Sequence, residues 1–163
     1  MVADELRESP RTGAGNQVEM TIPSDLVFER VVRAAAEEVG RQMGFSDEKL
    51  ADLTLAVSEA VTNAIEHGNR LRQEVHVGII FCLEENRLVV RVIDQGEKTE
   101  PPEVRYCGIT EETIEQGELR GLGLYLIHQL VDHAEFSSSE EGNVFTMWLH
   151  ITPRDEQGRR QEQ

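Results

Sequence analysis

Val18, Met20 and Ile22 alternate with polar neighbours and stop at Pro23, which predicts a short strand. Ser24 or Asp25 then offers an N-cap for a helix running to about Met43, with Gly44 placed to end it. Ser46, followed by Asp47, Glu48 and Lys49, predicts a second helix start, since acids in the first turn suit the positive end of the helix dipole. Along this helix Leu50, Leu53, Val57, Ala60, Val61, Ala64 and Ile65 recur at intervals of three and four, a stripe made for burial, and Gly68 is placed to end it. Val75, Val77, Ile79, Phe81 and Leu83 alternate as a half-buried strand does. A turn at Glu85–Asn86 then leads into Leu88–Ile93, apolar enough for a central strand. Residues 94–119 are polar, hold Pro101 and Pro102, and are too long for mere connection; such loops in compact domains are functional or disordered. Gly121 to Asp132 reads as a third helix, and Glu135–Ser139 with Val144–Ile151 as a closing hairpin. This order predicts an α/β (α+β) two-layer sandwich, a mixed, mostly antiparallel sheet covered by three helices.

Length and charge narrow the picture. The 163 residues suit one domain that buries roughly 68–70% of its unfolded surface, enough for a core without staples. The charged, aperiodic stretches 1–16 and 153–163 read as flexible tails around a single unit over 17–152. A net charge of −15 argues against direct nucleic-acid binding and against an anionic membrane surface, because both polyanions reward basic patches. No apolar run approaches the ~20 residues of a membrane span, and the first ten residues have no signal-peptide core. Two cysteines, Cys82 and Cys107, make no disulfide framework, so a cytoplasmic setting is expected.

Three segments carry candidate chemistry. Glu59 and Asn63 are four apart on the second helix and share a face offset from the apolar stripe. An acid there can orient a nucleophile, and an amide oxygen can hold Mg2+. Asp94 ends an apolar strand and is followed by Gly96; such a carboxylate can accept from an adenine amino group while the glycine lets backbone approach the ring. Gly121 and Gly123 open a helix, where backbone N–H groups can meet phosphate oxygens. Taken alone, each is better explained as a solvated helix face, an ordinary Asp-x-Gly turn and a chance glycine pair. Neither a dinucleotide fingerprint nor a GxxxxGK[ST] loop is present. The five histidines make no zinc-ligand spacing, and His67 at a helix end suits the dipole. Ser137–Ser139 lack the Gly-x-Ser-x-Gly elbow of a nucleophile and read as strand-end polarity, and Trp148 reads as packing.

Together, in order, EAVTNAIEHGN, VIDQGE and RGLGLYLIHQLVD resemble the N, G1 and G2 boxes of the GHKL (Bergerat-fold) ATPase superfamily. The resemblance is strongest to bacterial anti-sigma-factor serine/threonine kinases of the RsbW and SpoIIAB type and covers roughly residues 17–152. It implies that Glu59 is the general base, Asn63 the Mg2+ ligand, Asp94 the adenine-reading carboxylate and Gly96 the close-approach glycine. It places Gly121, Leu122, Gly123 and Leu124 around the phosphates of ATP, with Arg120 as a phosphate neighbour and 97–119 as a lid. Two departures stand out: Lys98 replaces the second glycine of a DxGxG run, and Asn143 replaces the threonine of a Gly-Thr pair. Asn143 keeps the capacity to hydrogen-bond near adenine.

The resemblance implies ATP-dependent phosphorylation of a Ser or Thr on a STAS-type anti-anti-sigma protein, with transcription regulated by partner switching. It also implies a homodimer and contact with a sigma factor through an apolar patch on the first helix and strand. The alternative is a non-catalytic ATP-binding module that sequesters a protein partner; retention of Glu59 favours catalysis, since a pure binder needs no base. Sensor histidine kinases, which carry a phosphoacceptor helix, and topoisomerase-type members, which carry a transducer domain, match this length less well.

Overall fold

The computed structural model of the protein describes residues 16–100 and 119–151, with Leu119 to Gly121 given as helix backbone only. Both expected tails, most of the expected lid and Cys107 lie outside the described residues.

The chain runs β1 (Gln17–Pro23), α1 (Glu29–Met43), α2 (Asp47–Asn63), β2 (His76–Leu83), β3 (Arg87–Asp94), α3 (Leu119–Leu130), β4 (His133–Ser139) and β5 (Gly142–His150). The five strands form one sheet in the order β1-β2-β3-β5-β4. All four pairings are antiparallel, the limiting case of the mostly antiparallel sheet that alternation predicts.

Helix ends follow their capping residues. Ser46 Oγ accepts from Lys49 N at 3.2 Å and starts α2, and Gly44 in the left-handed conformation (φ 77°) ends α1. The start of α1 departs from expectation. Asp25 caps a short 3-10 turn, Leu26–Phe28, and α1 begins only at Glu29. Ser24 is no cap: it is buried and donates to Val75 O at 2.5 Å, tying the β1 end to the chain entering β2.

The helices cover one face of the sheet. α2 buries Leu50, Leu53, Ala56, Val57, Ala60 and Val61, and α1 contributes Val32, Ala36, Val39 and Met43. Gly40 lets α1 and α2 close together, since a Cβ there would stand 2.6 Å from the Leu50 side chain. From the sheet, Val77, Ile79, Phe81, Leu88, Val90, Val92, Met147 and Leu149 complete the core. Alternate positions of β3, β5 and β4 face these helices, so the rows Leu88–Val90–Val92–Asp94, Leu149–Met147–Phe145–Asn143 and Ala134–Phe136–Ser138 share that face. Each row is apolar through the core and turns polar at one end. The sequence therefore places its polar residues where the sheet leaves the core.

A clamp holds the opposite end. Asp132 Oδ2 accepts from Lys49 Nζ at 3.2 Å and from His150 N at 2.7 Å, joining the α2 start to β5. Burial pushes the Asp132 carboxyl up, but these two partners outweigh it and hold it below the usual aspartate value. Trp148 sits on the outer face with its ring 5.0 Å from that of His133. Cys82 is unpaired, and burial chiefly raises its thiol pKa, which makes it a poor nucleophile. Among the described residues no helix is long and apolar enough to cross a membrane.

Candidate nucleotide site

The α2 helix widens into a π-helical turn, Ala64–Gly68, immediately after Asn63. Such single turns alter which side chains share a face and recur at functional sites. Here the turn delivers Gly68 and Asn69 against the polar end of β3. A Cβ on Gly68 would lie 2.3 Å from Asp94 Cγ and 2.4 Å from Oδ2, so only glycine fits. On Gly96 it would lie 2.5 Å from Gly68 O and 2.8 Å from Asp94 Oδ1. The two glycines thus leave the Asp94 carboxylate bracketed by bare backbone.

Asp94 itself is 8% exposed. Its Oδ1 accepts from Gly96 N and from Asn143 Nδ2, both at 2.8 Å. Sheet register brings this about, because Asp94 is the direct cross-strand partner of Asn143, and Asn143 that of Ser138. Asn143, expected near adenine, donates instead to the acid. Lys98, at the other departure from the glycine-box pattern, is exposed.

Asn69, which sequence reasoning passed over, is the hub beneath this acid. It is fully buried; its Oδ1 accepts from Gln95 N at 2.7 Å, and its Nδ2 donates to Ser24 Oγ at 2.8 Å and His76 O at 3.1 Å. One amide thus fixes the turn after Asp94 to the β1 end and the start of β2. A fully satisfied buried amide of this kind rigidifies what it touches.

The second half of the site lies where α2 meets α3. A Cβ on Gly123 would stand 2.9 Å from Glu59 Oε2 and 3.9 Å from Asn63 Nδ2, so the two α2 side chains extend to the same bare patch of α3. That is the convergence expected of Glu59, Asn63 and Gly123. Burial is the main influence raising the Glu59 carboxyl above the usual glutamate value, with the charges of Glu66 and Glu29 adding to it. A raised carboxyl is better matched to accepting a proton near neutral pH.

Asn63 Nδ2 is buried and has no hydrogen-bond partner among the described residues. An amide's two ends have nearly the same shape, so a half-turn would deliver the carbonyl oxygen to that place. A carboxylate and an amide oxygen are hard donors of the kind Mg2+ takes, and this orphaned position fits such an ion. Among the described residues no cluster of three or more His, Cys, Asp or Glu could hold a metal by itself.

The remaining predicted residues divide. α3 begins at Leu119, two residues before the expected start, so Gly123 and Leu124 lie beyond its first four positions and their N–H groups belong to the helix ladder. Leu124 is 5% exposed and part of the core, and Leu122 is half-buried. Arg120 and Gly121 fall in the opening turn of α3, which is described as backbone only.

The chain is similar to known proteins over most of its length. A family model described as the histidine kinase-like ATPase domain matches residues 22–149. A serine-protein kinase RsbW of Bacillus velezensis is 34% identical over 125 residues, covering 75% of this chain and 78% of that protein. One from Oceanobacillus iheyensis is 32% identical over 141 residues, covering 85% and 89%. Among solved structures, the RsbU and RsbW domains of a Mycobacterium tuberculosis protein superpose with a TM-score of 0.60 at 22% identity; the match covers 83% of this chain and 32% of that one. The SiaB–SiaC complex from Pseudomonas aeruginosa gives 0.52 at 13% identity over 82% of this chain and 88% of that one. At such identities these two likenesses speak to the fold.

Proposed function

The chain belongs to the histidine kinase-like ATPase domain family and, within it, to the serine-protein kinases of the RsbW type, and on that premise we propose that it phosphorylates a serine or threonine of a STAS-type anti-anti-sigma protein. ATP is the phosphoryl donor, and the same chain acts as an anti-sigma factor in a partner switch. The observation that carries this reading is the meeting of Glu59 and Asn63 over Gly123, in one molecule with the glycine-bracketed Asp94.

Each residue has a task. Asp94 accepts from the adenine amino group, and Gly68 and Gly96 let the ring lie against backbone. The opening turn of α3, which holds Arg120, Gly121 and Leu122 and is followed by the bare Gly123, would meet the phosphates, where a helix start favours negative charge. Asn63 would hold Mg2+ through its amide oxygen; when bound, the ion neutralises phosphate charge. Glu59 takes the proton from the incoming hydroxyl as the hydroxyl oxygen bonds to the terminal phosphorus, whose bond to the bridging oxygen breaks and releases ADP. Phosphoryl transfer asks the protein chiefly for positioning and charge stabilisation, and this site offers both.

Docking of protein partners falls to the exposed apolar residues Leu26, Val27 and Phe28 of the 3-10 turn and Val31 in α1, with Val18 on β1. We place the homodimer and the sigma-factor contact on that side, and the protein in the cytoplasm.

Transfer of labelled phosphate from ATP to a purified STAS-type protein tests the catalytic role. Glu59→Gln is expected to lower the rate by about 100- to 10,000-fold while ATP still binds. Equal rates in variant and wild type would remove Glu59 from the mechanism. Loss of ATP binding alongside the rate would make it a binding residue instead.

A further inference from the structure

The turn that follows Gly68 and Asn69 is strained and exposed at once. Arg70 (φ 51°) and Leu71 (φ 58°) both hold positive φ, where a Cβ crowds the neighbouring carbonyl oxygen. The conformation has a structural use: it ends the helical run, with Leu71 N donating to Ile65 O at 2.8 Å. The two side chains have no part in that, since glycine or asparagine makes such a stop with less strain. Leu71 is 54% exposed, and Arg70 and Arg72 are exposed on either side of it. Arg33, Arg41 and Arg87 stand beside Glu29, Glu37 and Glu84, whereas Arg70 and Arg72 make no ion pair among the described residues. The chain has 31 acidic residues against 16 basic ones, so an apolar knob between two unmatched guanidinium groups runs against its general charge.

The place of this turn gives it a direction. Asn69 Nδ2 donates to Ser24 Oγ at 2.8 Å, Gln73 Nε2 to Asp25 Oδ2 at 3.1 Å, and Ser24 N to Val75 O at 3.2 Å. These bonds fasten the 69–75 loop beside the 3-10 turn whose Leu26, Val27 and Phe28 are exposed. Glu29 comes next in the chain, and it lies close enough to Glu59 for its charge to bear on that carboxyl. Exposed apolar residues thus lead from Leu71 past Phe28 to the edge of the base.

We infer that Arg70, Leu71 and Arg72 form a docking site for the protein that receives the phosphoryl group, met by a face of that protein on which an apolar hollow is edged by carboxylates. The inference rests on the phosphorylation reading and adds to it where the substrate is held. Charge selects the occupant: an acidic face is repelled by most of this chain and drawn to this turn, which fixes its register as well as its affinity. A leucine displayed on a backbone already fixed in one conformation also loses less freedom on docking.

Steady-state transfer of labelled phosphate from ATP to a purified STAS-type protein tests this, with the KM of each substrate measured separately. Leu71→Asn suits positive φ and removes the apolar contact; Arg70→Glu reverses the charge. Each is expected to raise the KM for the protein substrate by about 10-fold. kcat and the KM for ATP are expected to stay at wild-type values, as they do when only uniform binding is lost. Leu71→Asn is expected to melt no lower than wild type, because the strain is eased. Added salt is expected to raise the wild-type KM for the protein, and to do so less in Arg70→Glu. Folded variants with an unchanged protein KM overturn the inference. So does an equal rise in the KM for ATP, which would mean that the turn only supports the nucleotide pocket through Asn69. Should one variant not fold, the other decides by the same criterion. A wild-type chain that transfers no phosphate overturns the phosphorylation reading and the docking site with it, an outcome distinct from transfer that is indifferent to both variants.

Discussion

Glu59 draws its character from neighbours on two elements. Its carboxyl is raised first by burial, then by Glu66 beyond the end of α2 and by Glu29 in the first turn of α1. Glu29 Oε1 is itself buried without a hydrogen-bond partner among the described residues, and Arg33 Nε stands 3.9 Å away, too far to donate. Glu29→Gln removes one of the charges that disfavour ionisation of Glu59, so the Glu59 pKa falls towards the usual glutamate value. The base is then ionised at lower pH. The acid limb of the kcat/KM profile should move to lower pH, with the rate on the alkaline side unchanged. An unmoved limb would detach Glu29 from the base. Glu59, Asn63 and Asp94 were legible in the sequence only through the order and spacing of the three segments taken together. Asn69 and Ser24 were not: both are fully engaged buried polar residues, and their partners are 45 positions apart in the chain.

At the scale of elements, the helices and strands followed from their periods and caps, and the misses are local. The π-helical turn has no signature in AIEHG; it is accompanied by contacts of Gly68 with Asp94 and of Asn69 with Gln95 at the β3 end. The 3-10 turn before α1 escaped notice because Leu26, Val27 and Phe28 look like the start of a buried stripe, yet all three are exposed. Gly68 supplies the sharpest test of the turn. Its φ is not in the left-handed region, so alanine suits the backbone and only the approach to Asp94 forbids it. Gly68→Ala should displace the carboxylate, weaken ATP at least ~10-fold and cost about 1–3 kcal/mol of stability. Calorimetry and a thermal melt check both; an unaffected ATP constant would show that the carboxylate has room to move.

Across the whole molecule, the sheet acts as a ruler. Its antiparallel register sets Asp94, Asn143 and Ser138 side by side on three strands, while α2 and α3 set Glu59 and Asn63 against Gly123. The Asp132 clamp and the apolar core hold the two layers together at the far end. The sequence announced the layers but not the register, because register depends on which strands meet, and β3 pairs with β5 across α3 and β4. The proposed activity requires a purine nucleotide lodged between these layers with its base on Asp94. Titration of ATP with Mg2+ into the wild-type chain and into Asp94→Ala measures this directly. Wild type should bind one equivalent saturably, and Asp94→Ala at least ~10-fold more weakly; equal constants, or no saturable binding to wild type at millimolar ATP, would contradict it.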